Sequence, residues 1–307
     1  MKLLPPFHLR QMLSPLTWGL FLLSFCGCGP RPYEKVPMAL GLPYADCTVD
    51  TEYATIEGKG HKLIFARGKR PATIDGVLYY LQKPAGLQTL SKIDSDILRT
   101  ALTALPKRKL TLVIDPGHGG KDMGCHVGKT LEKELTLSIA QELTQTLEAR
   151  GHKVFLTRTE NQRRLTLENR VAFAAGKSID LFISIHINSA ANPEAKGTEV
   201  YTLPAPGCEG TNAGSPPRDV LAGHPHIGTA TQFALAIQRS FLALPDPPMD
   251  RGIRHAHFKV LRDVPAPALL IETGFLTNVD DFARLTHPDT RKMLARAIAD
   301  GIAPITP

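Results

Sequence analysis

Cysteine is scarce in this sequence and poorly placed for a scaffold. There are five among 307 residues. Cys26 and Cys28 close the N-terminal apolar stretch, and Cys47, Cys125 and Cys208 are an odd set without CxxC spacing. That excludes a disulfide framework and a thiolate metal knuckle, although one bridge stays open. No SxxK sequence occurs, so a serine site of the penicillin-binding kind is excluded. Basic residues outnumber acidic ones by 36 to 29, a formal charge of +7. They are scattered and stripe no helix, so no nucleic-acid partner is expected. A long apolar run is missing too: "LTWGLFLLSFCGC" is shorter than the ~20 residues that span a bilayer.

Lys2 and Arg10 precede that stretch and no acid appears before Glu34, which is the order of a secretory signal. The stretch ends in cysteines where a small-x-small cleavage site would stand, so lipoprotein processing fits better. Gly27 gives Cys28 the small preceding residue that the lipoprotein signals it resembles require, whereas Phe25 precedes Cys26. Cys28 is therefore the expected lipidated residue; a retained N-terminal anchor is the alternative. Either way the remainder is expected to be exported, periplasmic and membrane-tethered. Loss of residues 1–27 removes two positive charges and no negative one, taking +7 to +5. A basic exported chain suits an anionic polymer or a membrane surface.

Two regions follow, parted near "LPKRK" at residues 105–109. Residues 28–108 read as a small β-rich module: short apolar runs alternate with turn signals, Asp75-Gly76 being a good hairpin turn, and "SDILRTALTAL" closes it as a helix. The pattern resembles the small β-domains of some exported wall proteins and copper amine oxidases, and implies a positioning or wall-binding role.

Residues 109–307 alternate strand and helix patterns: "LTLVID", a helix from about Glu132 to Ala149, "KVFLT", a helix near Leu165 to Gly176, "LFISIHI", "TEVYTL", a helix near Ala230 to Ala243, "FKVL", "ALLIE" and a C-terminal helix. This is the signature of an α/β domain, a mostly parallel twisted sheet with helices on both faces. Leu135, Ile139, Leu143 and Leu147 give the first long helix one apolar stripe, and Gly151 stops it.

Polar residues cluster where the strands end. "LTLVID" runs into "IDPGHGGKDMG", delivering Asp115 and His118 to the carboxyl edge, where open α/β sheets bind ligands. Taken alone, His118 reads equally as a turn residue. "LFISIHIN" is apolar except for Ser184, His186 and Asn188, which share one face by the period of two. A satisfied core histidine is the plain alternative for His186. Glu272 follows Leu269, Leu270 and Ile271, where a carboxylate must be paired, protonated or beside a cation. Glu132 stands at a helix start, which suits an acid on electrostatic grounds alone. Together, two histidines and a glutamate with an open fourth position make a catalytic type of zinc site, and the spare carboxylate is a general base for a water of lowered pKa.

On these residues the span from about Lys109 to Pro304 resembles the zinc-dependent N-acetylmuramoyl-L-alanine amidases of the amidase_3 family. The matching blocks are "IDPGHGGKDMG", "LEKELTLSIA", "GHKVFLTR" with "LENRVAFA", "LFISIHIN" and "RGIRHAHFKVLRDVPAPALLIETGFLTN". The resemblance implies that His118, Glu132 and His186 hold zinc and that Glu272 is the catalytic base. It implies hydrolysis of the amide between N-acetylmuramic acid and L-alanine in peptidoglycan or its muramyl peptide precursors. Asp115 and Asn188 are candidates to steady a ligand imidazole from behind, and Asp115 reads equally as a residue that stabilises the turn. Glu134 points about 200° away from Glu132 on a helix and is expected to be solvated. His224 and His226, and His255 and His257, are weaker metal pairs; the second pair is expected to line the groove wall. Residues 203–228 are rich in glycine and proline and show no helical period, so the long blocking helix of some relatives is not expected. A zinc peptidase acting on the stem peptide and a catalytically silent wall-binding protein are the alternatives.

Overall fold

The computed structural model describes residues 35–42, 45–49, 52–86, 90–211 and 225–302. The signal segment, Cys26, Cys28 and His224 lie outside them. Among the described residues no helix is long and apolar enough to cross a membrane.

A short helix α1 (Lys35–Ala39) precedes five strands, β1 (Asp46–Val49), β2 (Tyr53–Gly58), β3 (His61–Ala66), β4 (Pro71–Ile74) and β5 (Val77–Tyr80), which form an antiparallel meander. Its turns have the chemistry a tight hairpin needs. Asp75 and Gly76 both take positive φ, 51° and 85°, as do Lys59 and Gly60, the left-handed pair that matches the twist of the flanking strands. Helix α2 (Lys92–Ala101) follows, capped by Ser91, whose hydroxyl accepts from the Asp94 amide at 3.0 Å.

The chain continues through β6 (Thr111–Pro116), a two-residue hairpin β7 (His126–Val127) and β8 (Thr130–Leu131), α3 (Glu132–Ala149), β9 (Lys153–Leu156), α4 (Leu167–Ala175), β10 (Leu181–Asn188) and β11 (Thr198–Thr202). It ends with α5 (Ile227–Leu242), β12 (Asp250–His255), α6 (Lys259–Asp263), β13 (Ala268–Phe275), α7 (Val279–Thr286) and α8 (Pro288–Ile302). One mixed sheet of 11 strands runs β1-β2-β3-β4-β5-β12-β11-β13-β10-β6-β9. Strands β13, β10, β6 and β9 are mutually parallel, whereas β11 lies antiparallel to β13. The N-terminal meander joins this sheet through the parallel pair β5 and β12, and the described residues form one compact unit.

Strands β6, β9, β10, β11 and β13 split their side chains between two cores. Leu112 and Ile114 of β6 and Ile183 and Ile185 of β10 face the larger core, built with Ile139 and Leu143 of α3, Phe233 of α5 and Ile298 of α8. Val113, Phe182 and Leu270 face the smaller core, with Ala174 of α4 and Val260 and Leu261 of α6. Two faces covered by helices agree with the expected fold. "FKVL" departs from expectation: it is helical, not extended. Its run is too short for periodicity to decide. Adjacent Val260 and Leu261 both enter the smaller core, and Lys259 pairs with Asp263 at i,i+4, 3.0 Å. The extended segment in this part of the chain is β12, just before it, which is not among the expected strands.

Candidate metal centre

Strand β6 fixes the first histidine. The Gly117 amide donates to the Ile185 carbonyl at 2.9 Å, tying the loop to β10, and His118 then takes φ 62°. A histidine in the left-handed region is uncommon and costs about 1–2 kcal/mol. The loop is held there by two buried cations. Arg170 Nη2 donates to the His118 carbonyl at 2.7 Å, and Arg158 Nη2 donates to the Gly117 carbonyl at 2.7 Å.

Glu132, the first residue of α3, is 2% exposed, and both of its oxygens are held by backbone amides: Oε2 accepts from Cys125 at 2.8 Å and Oε1 from Ile187 at 3.0 Å. Its Oε1 also lies 3.1 Å from His118 Nε2 and 3.1 Å from His186 Nδ1. One donor atom from each of the three residues lies within 4.8 Å of the others. Donors bound tetrahedrally to one zinc at 2.0–2.1 Å stand about 3.3 Å apart, so the set fits such an ion with little rearrangement. Burial pushes the Glu132 carboxyl up, but its bonds to His118 and His186 outweigh that and hold it well below the usual range. For His118 burial favours the neutral ring, and Glu132 and Asp122 overcome it and raise its pKa.

Glu272 stands beside His186 as its register partner across β10 and β13. Its Oε2 is closed off from solvent with no hydrogen-bond partner among the described residues. Burial, then the Glu132 and Glu199 charges, raise its pKa well above the ordinary glutamate value. These groups open on a cleft of about 530 Å³, bordered by Leu165 and Leu167 on one side and Phe258 and Val260 on the other.

The family model described as N-acetylmuramoyl-L-alanine amidase matches residues 112–304 of this chain. The chain belongs to the Amidase_3 family. It is similar to the N-acetylmuramoyl-L-alanine amidase AmiC of Neisseria meningitidis, 34% identical over 64% of this chain and 52% of that protein. It is also similar to the probable cell wall amidase LytH of Staphylococcus aureus, 32% identical over 64% of this chain and 58% of that one. This chain thus spans little more than half the length of these two relatives. Among solved structures, the amidase AmiC2 of Nostoc punctiforme superposes with a TM-score of 0.53 at 33% identity, covering 65% of this chain and 97% of that one.

Around this Amidase_3 centre the supporting residues differ from those expected. Asp115 touches neither ligand ring. It is 1% exposed and pairs with Arg170, accepting also from Thr157 Oγ1 at 2.6 Å and Ser184 Oγ at 2.8 Å. Through Arg170 it fixes the backbone of His118 rather than its imidazole. Asn188 likewise misses the histidines: its Nδ2 donates to Glu199 Oε1 at 2.7 Å, a bulge after His186 having shifted the register. The group that does meet a ring is Asp122, whose Oδ1 lies 2.9 Å from His118 Nδ1. Asp122, Glu199, Arg158 and Arg170 are not among the residues expected from the sequence. A glutamate within the apolar "TEVYTL" is a usable signal for Glu199, of the same kind as Glu272.

Two glycines of the "GHGGKDMG" region make room for the cluster. A Cβ on Gly117 would lie 2.5 Å from His186 Cε1, and one on Gly124, at φ 69°, would lie 2.4 Å from Glu132 Oε2. Gly117→Ala is expected to lower zinc affinity about 10- to 100-fold by displacing the ring, with an unchanged circular dichroism spectrum. Metal analysis after dialysis against graded chelator checks this; parent-like retention counts against a cradle role.

Among the described residues, the other histidines are not part of the centre. His255 is fully buried away from the groove: Nε2 lies 2.5 Å from the Tyr80 carbonyl and Nδ1 lies 2.9 Å from Thr202 Oγ1. The groove wall expected of His255 and His257 is supplied by Phe258, Lys259 and Val260 instead. His226 precedes α5, and Glu134 is exposed, as expected. Cys47, Cys125 and Cys208 are free thiols.

Burial of His255 lowers its pKa from 6.5 to about 4. The unfolded chain therefore binds a proton below pH 6.5 that the folded chain refuses until about pH 4. This contribution to stability is complete above 6.5 and is lost as pH falls through that window, on the order of 3 kcal/mol in all. Denaturant unfolding of the parent and His255→Gln at about pH 7 and about pH 4.5 should show the variant with the smaller acid loss; equal losses remove His255 as the cause.

Proposed function

We propose that this chain is a zinc-dependent N-acetylmuramoyl-L-alanine amidase that cleaves the bond between N-acetylmuramic acid and the L-alanine of the stem peptide. The observation that carries this reading is Glu272, with one buried oxygen unpartnered among the described residues, beside the His118, Glu132 and His186 donor set and lining the open cleft. A zinc ion held by these three residues supplies Lewis acidity, polarising the amide carbonyl and lowering the pKa of a water. Glu272 accepts the proton of the attacking water on its carboxylate as the new C–O bond forms. It then delivers that proton to the alanine nitrogen as the C–N bond breaks. Glu132 is locked by the Cys125 and Ile187 amides, so it stays a ligand and does not compete for the proton. The relatives named as amidases support the substrate class.

Export supports access to that substrate, and the N-terminal stretch with Gly27 before Cys28 supports tethering to the membrane by a lipid on Cys28. In this reading the meander of β1 to β5 positions the catalytic sheet, which it extends. Mass spectrometry of digested wall fragments tests the function. Free muramic lactyl ends are expected from the zinc-loaded protein. Shortened stems with the lactyl amide intact point to a peptidase, and unaltered fragments to a binding protein.

A further inference from the structure

One charged cluster beside the centre is not used by this chemistry. Glu199 is the register partner of Glu272 across β11 and β13, on the side away from His186, and is 2% exposed. Its Oε1 is taken by Asn188. Its Oε2 is shared by Arg254 Nε at 2.7 Å and Arg251 Nε at 3.3 Å. Both arginines come from β12 and both are steadied by rings, Arg251 over Phe275 at 4.6 Å and Arg254 over Tyr80 of β5 at 5.1 Å.

The chemistry of this cluster is unbalanced. Glu199 accepts hydrogen bonds from Asn188 and from Arg251 Nε and has an ion-pair contact with Arg254, whose Nε donates to the Arg251 carbonyl at 3.2 Å, while the two guanidinium groups contribute two positive charges. Among the described residues, no Nη atom of Arg251 or Arg254 has a hydrogen-bond partner in the protein. Their side chains are 25% and 19% exposed, so neither guanidinium side chain is sealed within the core. Because both touch one oxygen, the two Nε atoms lie within 6.0 Å of each other, the sum of 2.7 and 3.3 Å. Rigid guanidinium groups with free Nη forks suit a planar carboxylate, and orientation fixed in advance reduces the ordering lost on binding.

Position selects which carboxylate. Adjacent strands are spaced about 4.8 Å apart. The order across the sheet is His186, Glu272, Glu199 and then β12, so the arginines stand two strands beyond the proposed base. That is about 10 Å at the backbone, with long side chains reaching part of the way back, which matches the span from a scissile amide to a charged group on the following residue.

We infer that Arg251 and Arg254 form a carboxylate subsite that binds the residue following L-alanine in the stem peptide. This rests on the amidase reading and adds the substrate's charge requirement to it. Glu199 serves the subsite by drawing both arginines to one point. The subsite also gives the N-terminal meander a role in binding, because Tyr80 carries the ring under Arg254.

The test compares two muramyl dipeptides that differ only in whether the second residue bears a free carboxylate or its amide, each given to the zinc-loaded full chain. The acid is expected to have a kcat/KM about tenfold to a hundredfold higher, the range of a charge-assisted hydrogen-bonded pair. Arg251→Gln is expected to bring the ratio towards one, and Arg251→Lys, which keeps the charge without the fork, to leave an intermediate ratio. Arg164→Gln, altering a different cation of the cleft, is expected to keep the parent ratio. Equal use of acid and amide by the parent overturns the subsite while leaving the amidase reading intact. Loss of the preference in Arg164→Gln but not in Arg251→Gln overturns its location. Failure to cleave either dipeptide with zinc bound, while larger wall fragments are also untouched, overturns the amidase reading instead.

Discussion

Glu272→Gln is expected to lower kcat on a muramyl peptide about 10²- to 10⁴-fold, the usual contribution of a positioned general base, while zinc content stays at the parent level. The amide is nearly isosteric with the carboxylate and cannot take the proton. Glu272 is not within the donor set of His118, Glu132 and His186, so metal retention separates this variant from a ligand variant. His186→Ala, by contrast, is expected to lose metal and activity together. Activity of Glu272→Gln within about tenfold of the parent removes the proton-transfer role assigned here. High pH is not expected to rescue the variant, because glutamine has no titratable form to restore.

The second large effect lies in the support of His118. Arg170→Leu is expected to destabilise the protein by about 3–5 kcal/mol, since it breaks a buried ion pair and leaves Asp115 with only Arg158, which does not hydrogen-bond to it, as a nearby cation. Both side chains are almost fully enclosed, at 5% and 1% exposure. Thr157 and Ser184 would still donate to Asp115, but neutral donors do not replace a guanidinium. The His118 carbonyl would lose its bond to Arg170 in the same change, so the strained φ at His118 would relax and zinc affinity would fall with stability. The double variant with Asp115→Asn removes the buried charge. It is expected to recover part of the stability but not the zinc affinity. Denaturant unfolding with metal titration on both variants checks the pair; a loss below about 1 kcal/mol in the single variant shows that Asp115 does not need its cation.

The alternation of strand and helix patterns is readable because each element carries its own period. Leu135, Ile139, Leu143 and Leu147 line the core as their spacing requires. "LFISIHIN" places Ser184 and His186 on one face for the same reason. The short "FKVL" carries no period, and its helical state follows from packing that the segment itself does not encode.

The sequence by itself determined which residues arrive at the carboxyl edge: His118 after β6, His186 late in β10, Glu272 in β13 and Glu132 at the start of α3. Polar side chains at the ends of apolar strands stand out because unpaired burial is costly. Only the tertiary structure decided what stands behind them. Asp115 belongs to Arg170 and Asn188 to Glu199, since the register shift between β10 and β13 and the choice of neighbouring strand set these partners. Above all, β11 enters the sheet antiparallel to β13, so Glu199, near the beginning of its own strand, meets Glu272 in the middle of its own. Strand direction and register are long-range choices made by packing, and no local period records them.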